Sequence, residues 1–209
     1  MTARYLGIDV SSGGRPFTYA LVSGSAHIGP PNEGVSGVLE VGFIAGAADI
    51  APLVAHLAPA GVAIDCPSGL PTGLQPACCL QTPAVCGCTI TAMWGGAPAT
   101  MRQCEHEVRA LGMSVYPTNK NSPAYWKHLV SAMLPVWTAL GTRPGLRLLE
   151  TYPYAVWRRL FPASSFAWTG GVKNDTYDAI LCAMVAELEA RGQAQALGAA
   201  AEGRIVLPN

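Results

Sequence analysis

A chain of 209 residues and 21.8 kDa is the size of one ordinary domain, with enough length to bury a sizeable core. Its 13 Lys and Arg balance 13 Asp and Glu, and charged residues make up 12% of the chain, about half the usual share. This combination excludes a disordered polymer, a coiled coil and a uniformly basic nucleic-acid coat.

Residues 4–10 form an apolar run that reaches Asp9 and then meets Ser11-Ser12-Gly13-Gly14, which predicts a buried strand followed by a turn. No apolar signal region precedes it, so the chain is expected in the cytoplasm. Residues 17–22 and 37–43 predict a second and a third strand, joined by Gly-rich turns into an antiparallel meander. With a mean hydropathy of +0.28, a membrane span has to be considered for the longest apolar stretch, residues 41–64. That stretch carries Asp49, Pro52, His56 and Pro59, and breaks at Ala58-Pro59-Ala60-Gly61. It therefore predicts a helix over 47–58, with Ile50, Leu53, Val54 and Leu57 on one face, then a buried strand over 61–65, and no membrane partner. A strand, helix, strand passage makes this fourth strand parallel to a neighbour.

Residues 66–100 are rich in Pro, Gly and Cys, have no clear period, and are expected to form an insertion over the sheet. A helix is predicted over about 100–111, with Thr100 as a cap and Gly112 past its end, followed by an extended piece at 114–117. Residues 123–140 place Tyr125, Leu129, Met133, Trp137 and Leu140 on one helical face. Residues 145–151 predict a fifth strand, and Asn174 or Asp175 opens a last helix that runs to Arg191-Gly192. The expectation is one α/β domain over residues 1–209, with a central mixed five-stranded sheet flanked by helices.

Of seven cysteines, Cys78, Cys79, Cys86 and Cys88 fall within eleven residues. An odd total without a secretory signal argues against a disulfide framework. Four thiolates this close in sequence can hold a zinc ion, although their spacing is not that of paired CxxC knuckles; the alternative is a loop of reduced thiols.

The acids fall at informative places. Asp9, Asp65 and Glu150 end the first, fourth and fifth predicted strands, where chemistry gathers in open α/β sheets. If the first and fourth strands are neighbours, Asp9 and Asp65 project side by side and call for a cation between them. Asp175 and Asp178, three residues apart, emerge on one face of the last helix. Such an oxygen-rich set suits Mg2+ or Mn2+, and a metal pair can clamp the attacking and leaving oxygens of a phosphodiester. Each acid also has a structural reading: Asp175 and Asp178 as helix-capping residues, Asp9 and Asp65 as strand-ending turn residues, and Glu150 in an ion pair with Arg102 or Arg147.

The segments Gly7-Ile8-Asp9, Ile64-Asp65-Cys66-Pro67-Ser68-Gly69-Leu70-Pro71, Arg102-Gln103-Cys104-Glu105, Glu150-Thr151-Tyr152-Pro153 and Asp178-Ala179 together resemble the predicted-nuclease family with a ribonuclease H-like fold, catalogued as domain of unknown function 429. The likeness spans nearly the whole chain, and its most specific piece is the Asp-x-Pro-x-Gly-Leu-Pro stretch at Asp65. The resemblance implies a central sheet with its first three strands antiparallel and the rest parallel, and Asp9, Asp65 and Asp178 as metal ligands. Asp175-x-x-Asp178-Ala179 is also similar to the helix-borne acid pair of RuvC-type junction resolvases. Those resolvases carry Glu where this chain has Asp65, and the cysteine loop belongs to neither pattern.

Neutral overall, the charge is uneven along the chain. Residues 102–173 hold nine Lys and Arg against three acids, a surplus of +6, interleaved with Tyr116, Tyr125, Trp126, Tyr152, Tyr154, Trp157 and Trp168. This is the mixture expected where bases stack and phosphates are neutralised, so nucleic acid is the expected partner; the alternative is core aromatics and a solvated basic face. Arg102 and Lys173 are the cations expected to face a phosphate. The chain has no GxGxxG, GxxxxGK[ST], HExxH or GxSxG, and a thiol at Cys66 beside Asp65 would be harder to ionise. The leading expectation is a metal-dependent nuclease. The alternatives are nucleotide hydrolysis, since residues 7–13 also resemble the phosphate-binding turn of actin-like ATPases, and a non-catalytic scaffold with a cysteine-rich structural loop.

Overall fold

Strand β1 (Arg4–Asp9) is buried from Tyr5 to Asp9, and the rest of the fold is arranged about it. The computed structural model describes residues 2–29, 35–94, 96–162 and 175–209. Antiparallel to β1 on one side lies β2 (Phe17–Ile28), followed by β3 (Val35–Ile44) at the sheet edge. Helix α1 (Ile50–Leu57) then returns the chain to β4 (Gly61–Asp65), which pairs parallel with β1 on its other side. Among its described residues the expected insertion contains only short elements: α2 (Pro76–Cys79), a single 3-10 turn (Pro83–Val85) and the hairpin β5 (Met93–Trp94) and β6 (Ala97–Pro98). Next come α3 (Gln103–Ala110), α4 (Ala124–Gly141) and β7 (Arg147–Glu150), the last of these parallel to β4. The chain ends with α5 (Pro153–Leu160), α6 (Asp175–Ala190), β8 (Ala194–Leu197) and β9 (Ile205–Pro208).

Among the described residues the sheet has seven strands in the order β3-β2-β1-β4-β7-β9-β8, which corrects the expected five. The two additional strands follow α6. β9 is a short apolar run, and it becomes a strand because α6 carries the chain back across the sheet to pair it parallel with β7. β8 is Ala-Gln-Ala-Leu, which has no local strand signal, and it is recruited by antiparallel pairing with β9. The strands after the meander are therefore parallel except for this last edge. Helix α3 also starts later than expected. Its N-cap is Arg102, not Thr100, because the Glu105 carboxylate reaches back to accept from the Arg102 backbone N–H.

Alternation along the central strands separates two packed layers. Leu6 and Ile8 of β1 and Val62 and Ile64 of β4 join one cluster with α1 and α4, including Ile50, Val54, Met133, Trp137 and Leu140. Tyr5 and Ala63 belong to the other face, against Cys182, Ala183 and Ala186 of α6. Gly7 lies between them on that face, and a Cβ there would overlap the Ala179 carbonyl oxygen and the Ala183 amide nitrogen. The absence of a side chain at this position lets α6 lie directly on β1. Among the described residues, no helix is long and apolar enough to cross a membrane.

Candidate functional site

The face of the sheet that carries α6 ends in acids. Asp9 closes β1 and Asp65 closes β4, and the two are direct partners in the parallel register, so they stand on strands about 4.8 Å apart. They follow Gly7 and Ala63 by two residues and therefore point to the same face as those residues, toward α6. Asp178, one turn into α6, completes a set that lines a cleft of about 590 Å³ together with Asp175 and Glu150. Asp9 and Asp178 are buried, whereas Asp65 and Asp175 are half-buried. Their shared field is felt at Cys182, one turn beyond Asp178. Burial first, and then Asp65, Asp9 and Asp178, push that thiol well above its ordinary pKa. Burial also raises the Tyr152 hydroxyl, with Asp65 and Asp178 among the charges acting in the same direction.

Glu150 and Arg102 line this cleft but are engaged with each other. Arg102 is 1% exposed and donates from Nη1 and Nη2 to the two Glu150 oxygens at 2.9 and 2.7 Å. Its Nε donates to Glu105 Oε1 at 2.9 Å, and Glu105 in turn accepts from the Thr118 backbone N–H. Glu150 Oε2 also accepts from the backbone N–H and hydroxyl of Ser68, both at 2.8 Å. Glu150 thus takes the structural ion-pair position weighed for it, with Arg102 and not Arg147 as partner; Arg147 pairs with Glu189. The Asp65 motif has a physical logic within this network. Ser68 holds Glu150, and Gly69 packs so closely on the Glu202–Gly203 backbone that a Cβ would lie 2.6 Å from the Glu202 oxygen. Cys66 is buried, and its thiol is pushed up by that burial and by Glu150 and Asp65 against the opposing pull of Arg102, in keeping with its exclusion as a nucleophile.

The aromatic-rich section divides. Tyr116, Tyr125, Trp126, Tyr152 and Tyr154 line the cleft, with Tyr116 and Tyr125 well exposed, whereas Trp157 is buried in the core. The cations of the same section do not follow the aromatics. Arg109, Lys120, Lys127, Arg143 and Arg159 donate to backbone carbonyls, and Arg158 lies over the Trp157 ring. Lys173 and Trp168 lie outside the described residues. The cation at the cleft mouth that sequence reasoning missed is Arg15, which reaches Asp175 at 3.4 Å. Its signal was its place in the turn after the strand that carries Asp9.

A second constellation lies in the insertion. The sulfurs of Cys78, Cys79, Cys86 and Cys88 all lie within 4.8 Å of one another and could hold a metal ion. Among the described residues no other group of three or more potential ligands is gathered to this spacing; the cleft carboxylates share a cavity without converging so closely. None of the seven cysteines is in a disulfide. Comparison of the chain with family models, curated proteins and solved structures gives no match.

Proposed function

We propose that the protein is a metal-dependent phosphodiester hydrolase of ribonuclease H-like fold, acting on nucleic acid. The observation that carries this reading is the in-register pair Asp9 and Asp65 facing Asp178 of α6 at the carboxyl ends of parallel strands. The strand order β3-β2-β1-β4-β7, antiparallel and then parallel, agrees with it. The cleft presents carboxylates and no histidine among its described lining residues, a hard oxygen donor set suited to Mg2+ or Mn2+.

In this reading Asp9, Asp65 and Asp178 hold the divalent ion, with Asp175 at the rim. A bound ion of this kind would polarise the phosphoryl oxygens and lower the pKa of a water. The chain's own contribution is placement. The Arg102–Glu150–Ser68 network fixes the loop that follows Asp65, and Gly7 fixes the approach of α6. Tyr116 and Tyr125 offer exposed rings for bases to stack on, and Arg15 offers a cation for the phosphate backbone. Metal at the cysteine cluster would stand apart from this chemistry.

The test is manganese binding and hydrolysis of single-stranded and duplex DNA and RNA by the wild-type protein and by Asp9→Asn, Asp65→Asn and Asp178→Asn. The expected outcome is manganese-dependent cleavage by the wild type, lost with manganese binding in each variant. Absence of manganese binding by the wild type would sink the proposal. A nucleotide-hydrolysing reading is also supported, because Val10, Ser11 and Ser12 of the turn after β1 line the same cleft. It would be preferred if ATP alone raised the melting temperature and was hydrolysed while polynucleotides were not.

A further inference from the structure

We infer that Cys78, Cys79, Cys86 and Cys88 form a closed, structural zinc site that pins residues 66–100 onto α4; this does not rest on the hydrolase reading. Four thiolates around zinc, with Zn–S near 2.3 Å, place the sulfurs about 3.8 Å apart in a tetrahedron. The observed separations are 3.9 Å for Cys78–Cys79, 3.4 Å for Cys78–Cys88, 3.3 Å for Cys79–Cys86 and 3.1 Å for Cys78–Cys86. They do not divide into two short pairs, as two disulfides would require: Cys78 alone approaches three sulfurs. Mutual proximity within 4.8 Å also suits a single ion at the centre rather than a multi-iron cluster, whose ligands stand on separate metal atoms.

The surroundings match a thiolate-rich centre. Backbone N–H groups point at the sulfurs: Gln75 donates to Cys79 Sγ at 3.2 Å and Cys88 to Cys86 Sγ at 3.4 Å, bonds that delocalise thiolate charge. Four thiolates and one Zn2+ leave a net double negative charge. Lys120 supplies a cation beside it, with Nζ bonded to the Cys88 carbonyl at 3.0 Å. Cys79 is buried and the other three are half-buried, packed with Leu70, Leu74, Leu80 and Ile90 against Val130, Leu134 and Trp126 of α4. A site with four protein ligands has no open position for a reacting water, so its role is structural.

The need for such a site follows from the segment itself. Among its described residues the regular elements are a four-residue helix, a three-residue 3-10 turn and a hairpin with two residues per strand, too short to be stable alone. Metal binding would supply the missing free energy. Trp126 is the link to the cleft, because it packs on the cysteine cluster and also lines the cavity.

The experiment is metal analysis of the full-length protein by plasma mass spectrometry, with cobalt substitution and the variants Cys86→Ser and Cys88→Ser. The expected result is one zinc per chain, a cobalt form with sulfur-to-metal charge transfer and the intense visible bands of tetrahedral geometry, and loss of metal in both variants. Chelation of the wild type should make residues 72–98 sensitive to protease while the rest of the chain resists. Wild-type protein that contains no metal, or iron in place of zinc, overturns the inference, as does a six-coordinate cobalt spectrum. These readouts on the wild type stand even if a variant does not fold.

Discussion

At position 102 a guanidinium is buried between two carboxylates, and removing it would strand Glu105 and Glu150 without a counter-charge. Arg102→Met should therefore destabilise the fold by about 3–5 kcal/mol, read as a lower urea midpoint. A shift of less than about 1 kcal/mol would mean that the network does not hold the fold together. Asp9→Asn should behave differently. It alters a cleft-lining acid with little change of volume, so far-ultraviolet circular dichroism should stay as in the wild type while manganese binding disappears. Retention of that binding would remove Asp9 from the ligand set. The difference between Arg102 and Asp9 was only partly legible in sequence. An acid at a strand end faces the cleft through local geometry, whereas the pairing of Arg102 with Glu150 joins residues 48 positions apart and depends on where α3 starts.

Elements were legible where their signal is local. The helical spacing of Ile50, Leu53, Val54 and Leu57 and the apolar run at 61–65 correspond to α1 and β4 as formed, and the strands expected at 4–10, 17–22 and 37–43 correspond to the meander of β1, β2 and β3, with β2 running on to Ile28. β8 was not legible, because its Ala-Gln-Ala-Leu takes strand form only from pairing with β9. The packing of α6 on β1 is the contact most exposed to a single change. Gly7→Ala would force the two elements apart at Ala179 and Ala183, and should cost about 1–3 kcal/mol as overpacking. It should also weaken manganese binding, since moving α6 moves Asp178 away from Asp9 and Asp65. Calorimetric titration of the variant checks this, and unchanged affinity together with lost stability would show that the α6 position does not set the site.

Buried thiols and phenols in the core hold their protons more tightly in the fold than in the unfolded chain. Cys104 is raised from its ordinary 9.0 to about 12, chiefly by burial, and Tyr177 from 10.0 to about 12, by burial and Asp178. Cys66 and Cys182 are raised in the same direction. Each group has a folded pKa above its unfolded value. Their contribution is therefore complete below about pH 9 and is lost as the pH rises toward 12, because the unfolded chain gives up its protons first. Urea midpoints should fall steadily across that window, and a flat profile would show that these groups are not sequestered. The amino-acid sequence by itself determined the α/β class, the order of the central elements and the placement of acids at strand ends, since these depend on periodicity and on neighbours along the chain. Only the tertiary structure decided the seven-stranded extent of the sheet, the pairing of Arg102 with Glu150, the separation of cleft aromatics from cations tied to carbonyls, and the convergence of the four cysteine sulfurs. Each of these rests on contacts between segments distant in sequence or on loop paths that have no repeating signal. Burial and pairing, not local propensity, set their outcome.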